Sequence, residues 1–234
     1  SVILPAYNES LSILSALQAV IAVFKKLHRP FEVIVVDDGS RDDTVAKVEA
    51  YAIKHPEVEL MKHGCNRGKG AAVKTGAATA RGEVILFLDC DLSTQPETFV
   101  SFIPLLQRAD IVIGSRRCPD AKIIVSQPLY RTWAGRLFNL IVRYYLKLPY
   151  RDTQCGFKAF NSNMKPLFEA LQISGWAFDV ELITKACHEG FKIVEAPVEW
   201  RHGRESRVRL RDAGKIWRDL QRIKSGLKKW ECPN

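Results

Sequence analysis

Two aspartates separated by one residue, Asp89 and Asp91, close the apolar run EVILFLDCDLST at residues 83–94. In an extended segment, residues i and i+2 point the same way, so the two carboxylates share one side and Cys90 faces the other. Such a pair attracts a hard divalent cation, Mg2+ or Mn2+, which keeps open positions for phosphate oxygens. Two loop or helix-capping carboxylates would look the same, so the neighbours must decide. A second acidic turn, VVDDGSRDDT (35–44), offers Asp38 as an acceptor for a base N–H and Asp37 for the turn or a ribose. Ser40 and its neighbours also suit the cap of a following helix. HGCNRGKGAAVKTG (63–76) is a glycine-rich turn entering a helix. It lacks the GxxxxGK[ST] spacing of an ATPase phosphate loop; it offers Lys69 and a helix N-terminus to a nucleotide or phosphate instead.

These residues need a frame that gathers strand ends. Apolar runs at 1–5, 31–38, 58–62, 83–89 and 110–115 alternate with segments of helical apolar spacing, such as Leu11, Leu14, Leu17, Ile21 and Phe24. Continuous apolar strands separated by helices indicate an α/β fold, a mostly parallel sheet covered on both faces. Ligands of such sheets bind beyond the C-terminal strand ends, where PAYNES, DDGS, DCDLST and GSRR fall. Further strands are expected at 155–160 and 192–200. Residues 129–148 read as an aromatic-rich helix interrupted by Arg131, Arg136 and Arg143, suited to lying in a bilayer surface.

The 234 residues carry a net charge of +9, of which residues 201–234 contribute +7 through 11 Lys and Arg against 4 Asp and Glu. An anionic partner for the tail, membrane or nucleic acid, fits that asymmetry, as does a solvated basic helix face. Leu210, Ala213, Ile216, Trp217, Leu220, Ile223, Leu227 and Trp230 trace one face of a C-terminal helix, and Arg211, Lys215, Arg218, Arg222 and Lys229 the other. The apolar face suits a membrane, the core or an oligomer interface. Six cysteines show no CxxC pair and no zinc spacing, so reduced thiols in a cytosolic compartment are the simplest reading. No run approaches the ~18 apolar residues of a membrane span, and no signal peptide is visible. The chain opens inside an apparent strand, which leaves a missing anchor open.

Taken in order, ILPAYNES, VIVVDDGSRDDT, NRGKGAAVKTG, FLDCDLST, GSR, DTQCGFKAF, WAFDVELI and VEWRHGRESRVRL resemble the family 2 glycosyltransferases of GT-A fold. The resemblance is nearest to polyprenyl-phosphate sugar synthases of the dolichyl-phosphate β-glucosyltransferase type, and covers residues 2 to about 210. It implies a catalytic domain over 1–200, with a nucleotide-sugar half (1–116) and an acceptor half (117–200). A donor-closing loop and the basic helix then follow over 201–234.

The resemblance implies roles as well. Pro5, Ala6, Tyr7 and Glu9 cradle the nucleotide with Gly68 and Lys69, and Asp38 reads the base. Asp89, Cys90 and Asp91 form the DxD segment, whose aspartates hold the metal on the donor diphosphate with Ser93 nearby. Arg116 meets donor or acceptor phosphate, Arg131 the acceptor phosphate, and Arg201 and Ser206 belong to the loop closing over the diphosphate. Asp152, Gln154, Asp179 and Glu181 are sugar or loop contacts, Asp179 and Glu181 being equally suited to capping a helix. Cys90 stands where relatives often carry alanine, and DLSTQPE lacks a polar ligand of some mannosyl relatives, so glucose over mannose leans on DTQCGFK.

The implied reaction is inverting transfer of a hexose from a nucleotide-sugar to polyprenyl phosphate, with Mg2+ or Mn2+, at the cytoplasmic face of a membrane. UDP-glucose leads as donor, ahead of UDP-N-acetylhexosamine and GDP-mannose. The chain would be peripheral there, or anchored by a segment outside it; its oligomeric state is open. A family 2 enzyme with a soluble or polysaccharide acceptor, which would favour a carboxylate base, is the alternative. A nucleic-acid-binding module using the tail is a remote one, and leaves the acidic strand ends unexplained.

Overall fold

The computed structural model describes residues 1–125, 129–202 and 213–230, without the side chains of 129–132, 134, 213 and 228–230. In the nucleotide half, strands β1 (Val2–Ala6), β2 (Val33–Asp37), β3 (Val58–Lys62), β4 (Val84–Leu88) and β5 (Ile111–Ser115) alternate with helices α1 (Ile13–Lys26), α2 (Thr44–Ala52), α3 (Lys69–Thr79) and α4 (Thr98–Leu106). Then follow β6 (Lys122–Val125), α5 (Leu129–Leu146), β7 (Phe157–Asn161), α6 (Lys165–Glu169), α7 (Phe178–His188), β8 (Ile193–Pro197), β9 (Glu199–Arg201) and α8 (Ala213–Trp230).

The main sheet runs β3-β2-β1-β4-β7-β5-β8. All its neighbours are parallel except β7, which is antiparallel to both β4 and β5. Chain order reverses between β1 and β4, and at such a switch point the following loops part and leave a crevice. Alternation along the strands sends Ile3, Ile34, Val36, Ile85 and Phe87 to one face, under α3, α5, α6, α7 and α8. Val2, Leu4, Ala6, Val33, Val35, Leu86 and Leu88 go to the other, under α1, α2 and α4. With both faces covered, the strands must be apolar throughout, and polar residues are confined to their ends.

The expected strands are present at nearly the expected bounds. The 192–200 run, however, divides at Val198 into β8 and β9, and β9 pairs with β6 in a small separate sheet. Of the readings open for the C-terminal helix, core packing holds for part of its apolar face: Leu220 and Ile223 are buried in the core, where α8 packs on α7. Trp217 packs at a tilt against Tyr145 of α5 with ring centroids 5.2 Å apart. Leu210 lies outside the described residues. Among the described residues, the exposed large apolar side chains include Trp133, Leu137, Leu140, Ile141 and Tyr144 of α5, one stripe at helical spacing, and Ile123, Ile124 and Val125 of β6. Among the described residues no helix is long and apolar enough to cross a membrane.

If α8 is core and the α5 stripe is not, Leu220→Ala costs about 2–5 kcal/mol of folding stability, and Leu137→Ala changes it by about 0.5 kcal/mol or less. Urea unfolding of the two variants measures this; a reversed order would contradict the packing.

Candidate active site

The loops after β1 and β2 are laced together before any ligand arrives. Asn8, at φ 52°, receives the Arg41 N–H on its side-chain oxygen and donates its own N–H to Ser40 Oγ. The Glu9 N–H donates to Thr44 Oγ1 and the Ser10 N–H to Asp42. Tyr7, Asp37, Ser40, Arg41 and His63 thereby line a polar cavity of about 360 Å³. Pro5 and Ala6 supply backbone at the crevice, and the buried Cys90 thiol donates to the Pro5 carbonyl at 3.4 Å. That bond ties the end of β1 to the turn after β4 and seats Cys90 inward, as expected.

Asp38 already has partners within the fold. It is buried, and its oxygens accept the Arg67 and Gly68 N–H groups (2.9 and 2.7 Å) and lie 2.8 Å from His63 Nδ1. A base N–H would have to share or replace one of these, so here Asp38 holds the glycine-rich turn. Asp37 caps its own turn through Oδ2, accepting from Gly39 and Ser40, while its buried Oδ1 has no hydrogen-bond partner. Gly68 must be glycine: its φ is +102°, and a Cβ would meet the Ser174 carbonyl oxygen at 2.4 Å. The N-terminus of α3 is not open to phosphate, because the Gly70 N–H already donates to that carbonyl at 2.8 Å. What α3 contributes is Lys69.

The turn after β4 carries the paired carboxylates. The strand ends at Leu88, and a Leu92 N–H to Asp89 carbonyl bond closes residues 89–92, with Leu92 at φ 51°. Asp89 and Asp91 therefore sit on a turn, not on the extended segment expected from the run. The Ser93 N–H and O–H both donate to Asp91 (2.9 and 2.8 Å). Asp89 lies 2.5 Å from the Lys69 ammonium, whose side chain is only 16% exposed. Burial presses that ammonium toward neutrality, but Asp89, Asp179 and Asp91 outweigh it and hold its pKa above the ordinary value. On its other side Asp89 rests on Gly156, where a Cβ would meet Oδ2 at 2.0 Å. Behind it lies a fully buried ion pair, Lys158 to Asp179 at 2.6 Å, with Lys158 also donating to the Cys155 carbonyl. Burial pushes the Asp179 carboxyl up, against the pull of Lys158 and Lys69.

These residues fit a hard divalent cation. Asp89 and Asp91 form a site that already holds a positive charge, and Gly156 leaves room for the Asp89 carboxylate. Among the described residues no group of three or more His, Cys, Asp or Glu gathers. The protein's share is thus two carboxylates, the share Mg2+ takes when substrate phosphates and water complete its shell.

On the acceptor side, Arg116 grips Asp152 through Nε and Nη2 (2.7 and 2.9 Å) and stacks over the Trp200 ring at 5.5 Å. Asp152 is fully buried and also accepts the Arg116 N–H, so it orients the guanidinium. Glu181 likewise serves a loop: it accepts the Gln172 and Ile173 N–H groups and pairs with Lys185. Gln154 is half-buried on the turn before Cys155, beside the site. Arg201 is exposed on β9, its N–H bonded to the Ser93 carbonyl at 2.8 Å. Glu9 accepts the Ser12 hydroxyl at the start of α1. Arg131 begins α5 with its side chain undescribed, and Ser206 lies outside the described residues. The sequence reading missed Lys158 and Gly156, although a lysine inside the apolar run GFKAF was a visible signal. Burial holds the Cys155 thiol up at about 11, so it stays protonated.

Residues 1–164 match the family Glycosyl transferase family 2. The chain belongs to that family. Family 2 relatives include dolichyl-phosphate beta-glucosyltransferase ALG5C of Trichomonas vaginalis, 33% identical over 94% of this chain and 69% of that protein. The dolichyl-phosphate beta-glucosyltransferase of Drosophila melanogaster is 38% identical over 86% of this chain and 66% of its own length. Glycosyltransferase AglD of Haloferax volcanii is 31% identical over 90% of this chain and 34% of that protein. The chain thus spans about two thirds of the length of the first two relatives and a third of the last. Among solved structures, glucosyl-3-phosphoglycerate synthase of Mycobacterium tuberculosis with Mn2+, UDP-glucose and phosphoglyceric acid aligns over 100% of this chain and 80% of that one. Its TM-score is 0.67 at 21% identity, a likeness of fold.

Arg116 holds the Asp152 carboxyl at a pKa of about 2 against an ordinary 3.8, despite burial. A depressed carboxylate stabilises the fold above its unfolded pKa, and that contribution is lost as pH falls toward the folded value. The stability gap between the wild-type chain and Asp152→Asn is therefore expected to close between pH 4 and 2 in urea titrations. A gap independent of pH over that window would contradict the pairing.

Proposed function

We propose that this chain transfers glucose from UDP-glucose to the phosphate of a polyprenol, dolichyl or undecaprenyl, in one inverting displacement dependent on Mg2+ or Mn2+. The observation that carries this reading is the turn holding Asp89 and Asp91, set among cations while the nearby acids are already committed. Asp152 is bound to Arg116, Asp179 to Lys158, and Glu181 to backbone N–H groups and Lys185. Such a site suits the joining of two anions better than the deprotonation of a hydroxyl. The names of the family 2 relatives above support the acceptor and the sugar.

An acceptor phosphate oxygen attacks the anomeric carbon, and the bond from that carbon to the diphosphate oxygen breaks. The nucleoside diphosphate leaves with the electron pair. No proton need move, because a phosphate monoester has a second pKa of about 6 and is mostly dianionic at neutral pH. Asp89 and Asp91 would hold the cation, with Ser93 anchoring Asp91; when bound, it stabilises charge on the departing diphosphate. Lys69 adds a positive charge beside it. Arg116, oriented by Asp152, and Arg201, carried by β9, offset the repulsion between acceptor and donor phosphates. Asp37, with a spare oxygen at the polar cavity, and Tyr7 support placing the uridine there.

The acceptor's hydrocarbon stays in a bilayer, so the site must face one. The α5 stripe supports a docked, peripheral arrangement: exposure runs from 40% at Ile141 to 89% at Tyr144. Arg136 lies over Trp133 at 5.7 Å, and Lys215, Arg218 and Arg222 are exposed on α8. Basic residues near an anionic leaflet contribute about 1 kcal/mol each. Together they support a position at the cytoplasmic face of a membrane.

Label from UDP-[14C]glucose should enter the lipid phase with short-chain polyprenyl phosphate and Mn2+ or Mg2+. Transfer should disappear with EDTA and fall by at least about 100-fold in Asp91→Asn. UDP-N-acetylglucosamine and GDP-mannose should transfer less. Glucose passing to water or to soluble sugars, with none in the lipid, would contradict the acceptor assignment.

A further inference from the structure

The Lys69 ammonium stands where an incoming metal ion meets its ligands. It contacts Asp89 at 2.5 Å, and Asp91 and Asp179 also act on it. Asp89 contacts this ammonium and packs on the Gly156 backbone, with its side chain 37% exposed. Lys69 cannot withdraw sideways onto an empty partner, because Lys158 already occupies Asp179, and both ammoniums lie over the ring of Phe87 (5.9 and 5.2 Å).

Formal charges sharpen the point. Three carboxylates and two ammoniums leave one negative charge in excess in this partly buried cluster. A divalent cation entering alone reverses it to one positive charge in excess, beside an ammonium already in contact with the ligand it needs. A divalent cation entering with a diphosphate, whose two linking groups carry one negative charge each, restores the original excess. The diphosphate also gives the displaced ammonium a new partner, which a flexible lysine chain can reach.

We infer that Lys69 is the resident counter-ion of Asp89 and Asp91: it opposes metal binding to the free enzyme and passes to the donor diphosphate when metal and donor enter together. Metal and nucleotide then bind synergistically, and by reciprocity each strengthens the other by the same factor, on the order of 10-fold or more. Lys69 is thereby a positioning residue for the metal ligands as well as a contact for the donor. The inference rests on the metal-dependent reading above.

Free Mn2+ measured by electron paramagnetic resonance, with and without saturating UDP, tests it without any turnover. In the unsubstituted protein UDP should tighten Mn2+ binding by about 10-fold or more. In Lys69→Met, and in Lys69→Gln as a second variant, Mn2+ alone should bind more tightly than to the unsubstituted protein, and the gain from UDP should shrink toward none. An ammonium that merely lay nearby would change both Mn2+ affinities equally and leave the gain intact. An intact gain in the variants, or no gain in the unsubstituted protein, overturns this inference and leaves the reaction assignment standing. Failure of the unsubstituted protein to bind Mn2+ even with UDP overturns both.

Discussion

Carboxylates gathered at the ends of buried strands repel one another and lose hydration, so a site built on them needs cations delivered from elsewhere in the chain. This requirement organises the site. Lys158, inside β7, reaches Asp179 at the start of α7; Lys69, at the start of α3, reaches Asp89. Arg116, just past β5, is gripped by Asp152. Each cation comes from a different element, so the charges cannot assemble until the sheet is complete. Inserting β7 antiparallel between β4 and β5 achieves this: it puts Gly156 and Lys158 directly behind the turn carrying Asp89. Buried pairs of this kind add little net stability against an apolar core; their effect is to fix the positions of charge.

The same turn connects the site to the proposed membrane face. β9 bonds to the Ser93 carbonyl through Arg201, and Trp200 bridges to Thr94, so the small sheet rests on the residues flanking the paired aspartates. Its other strand, β6, shows Ile123, Ile124 and Val125 to solvent. On the proposed function, this apolar strand and the turn carrying the paired aspartates are one short hydrogen-bonded ladder apart. In a reaction between a membrane-held acceptor and a water-soluble donor, that proximity brings the two phosphates together.

Much of the frame was legible in the sequence because doubly covered strands must be apolar throughout, and FEVIVVDD or EVILFLD leaves little choice. β6 was not legible, since KIIV is four residues long and takes its strand identity from β9, more than seventy residues later. The apolar stripe of α8 was visible, but a helix that faces lipid and one that faces the core present the same periodicity; only packing on α7 decides. Within the site, residue types and motif order located Asp89, Asp91 and Lys69. What they bond to was hidden, because Lys69 to Asp89 and Arg116 to Asp152 are contacts between elements distant in sequence. Asp38 shows the limit clearly: its type suits a base N–H, and the fold uses it first to hold the turn at Arg67 and Gly68.

The central claim is that charge placement, with no protein base, drives transfer to a lipid phosphate. The pH dependence of kcat/KM for polyprenyl phosphate tests it most directly. The account predicts one rise with a midpoint near the acceptor's second ionisation, at about pH 6, unchanged in position by Asp179→Asn. A midpoint that moves with the acceptor's hydroxyl or phosphate replaced by an analogue of different pKa would agree. A midpoint fixed in the enzyme and abolished by replacing a carboxylate would contradict it.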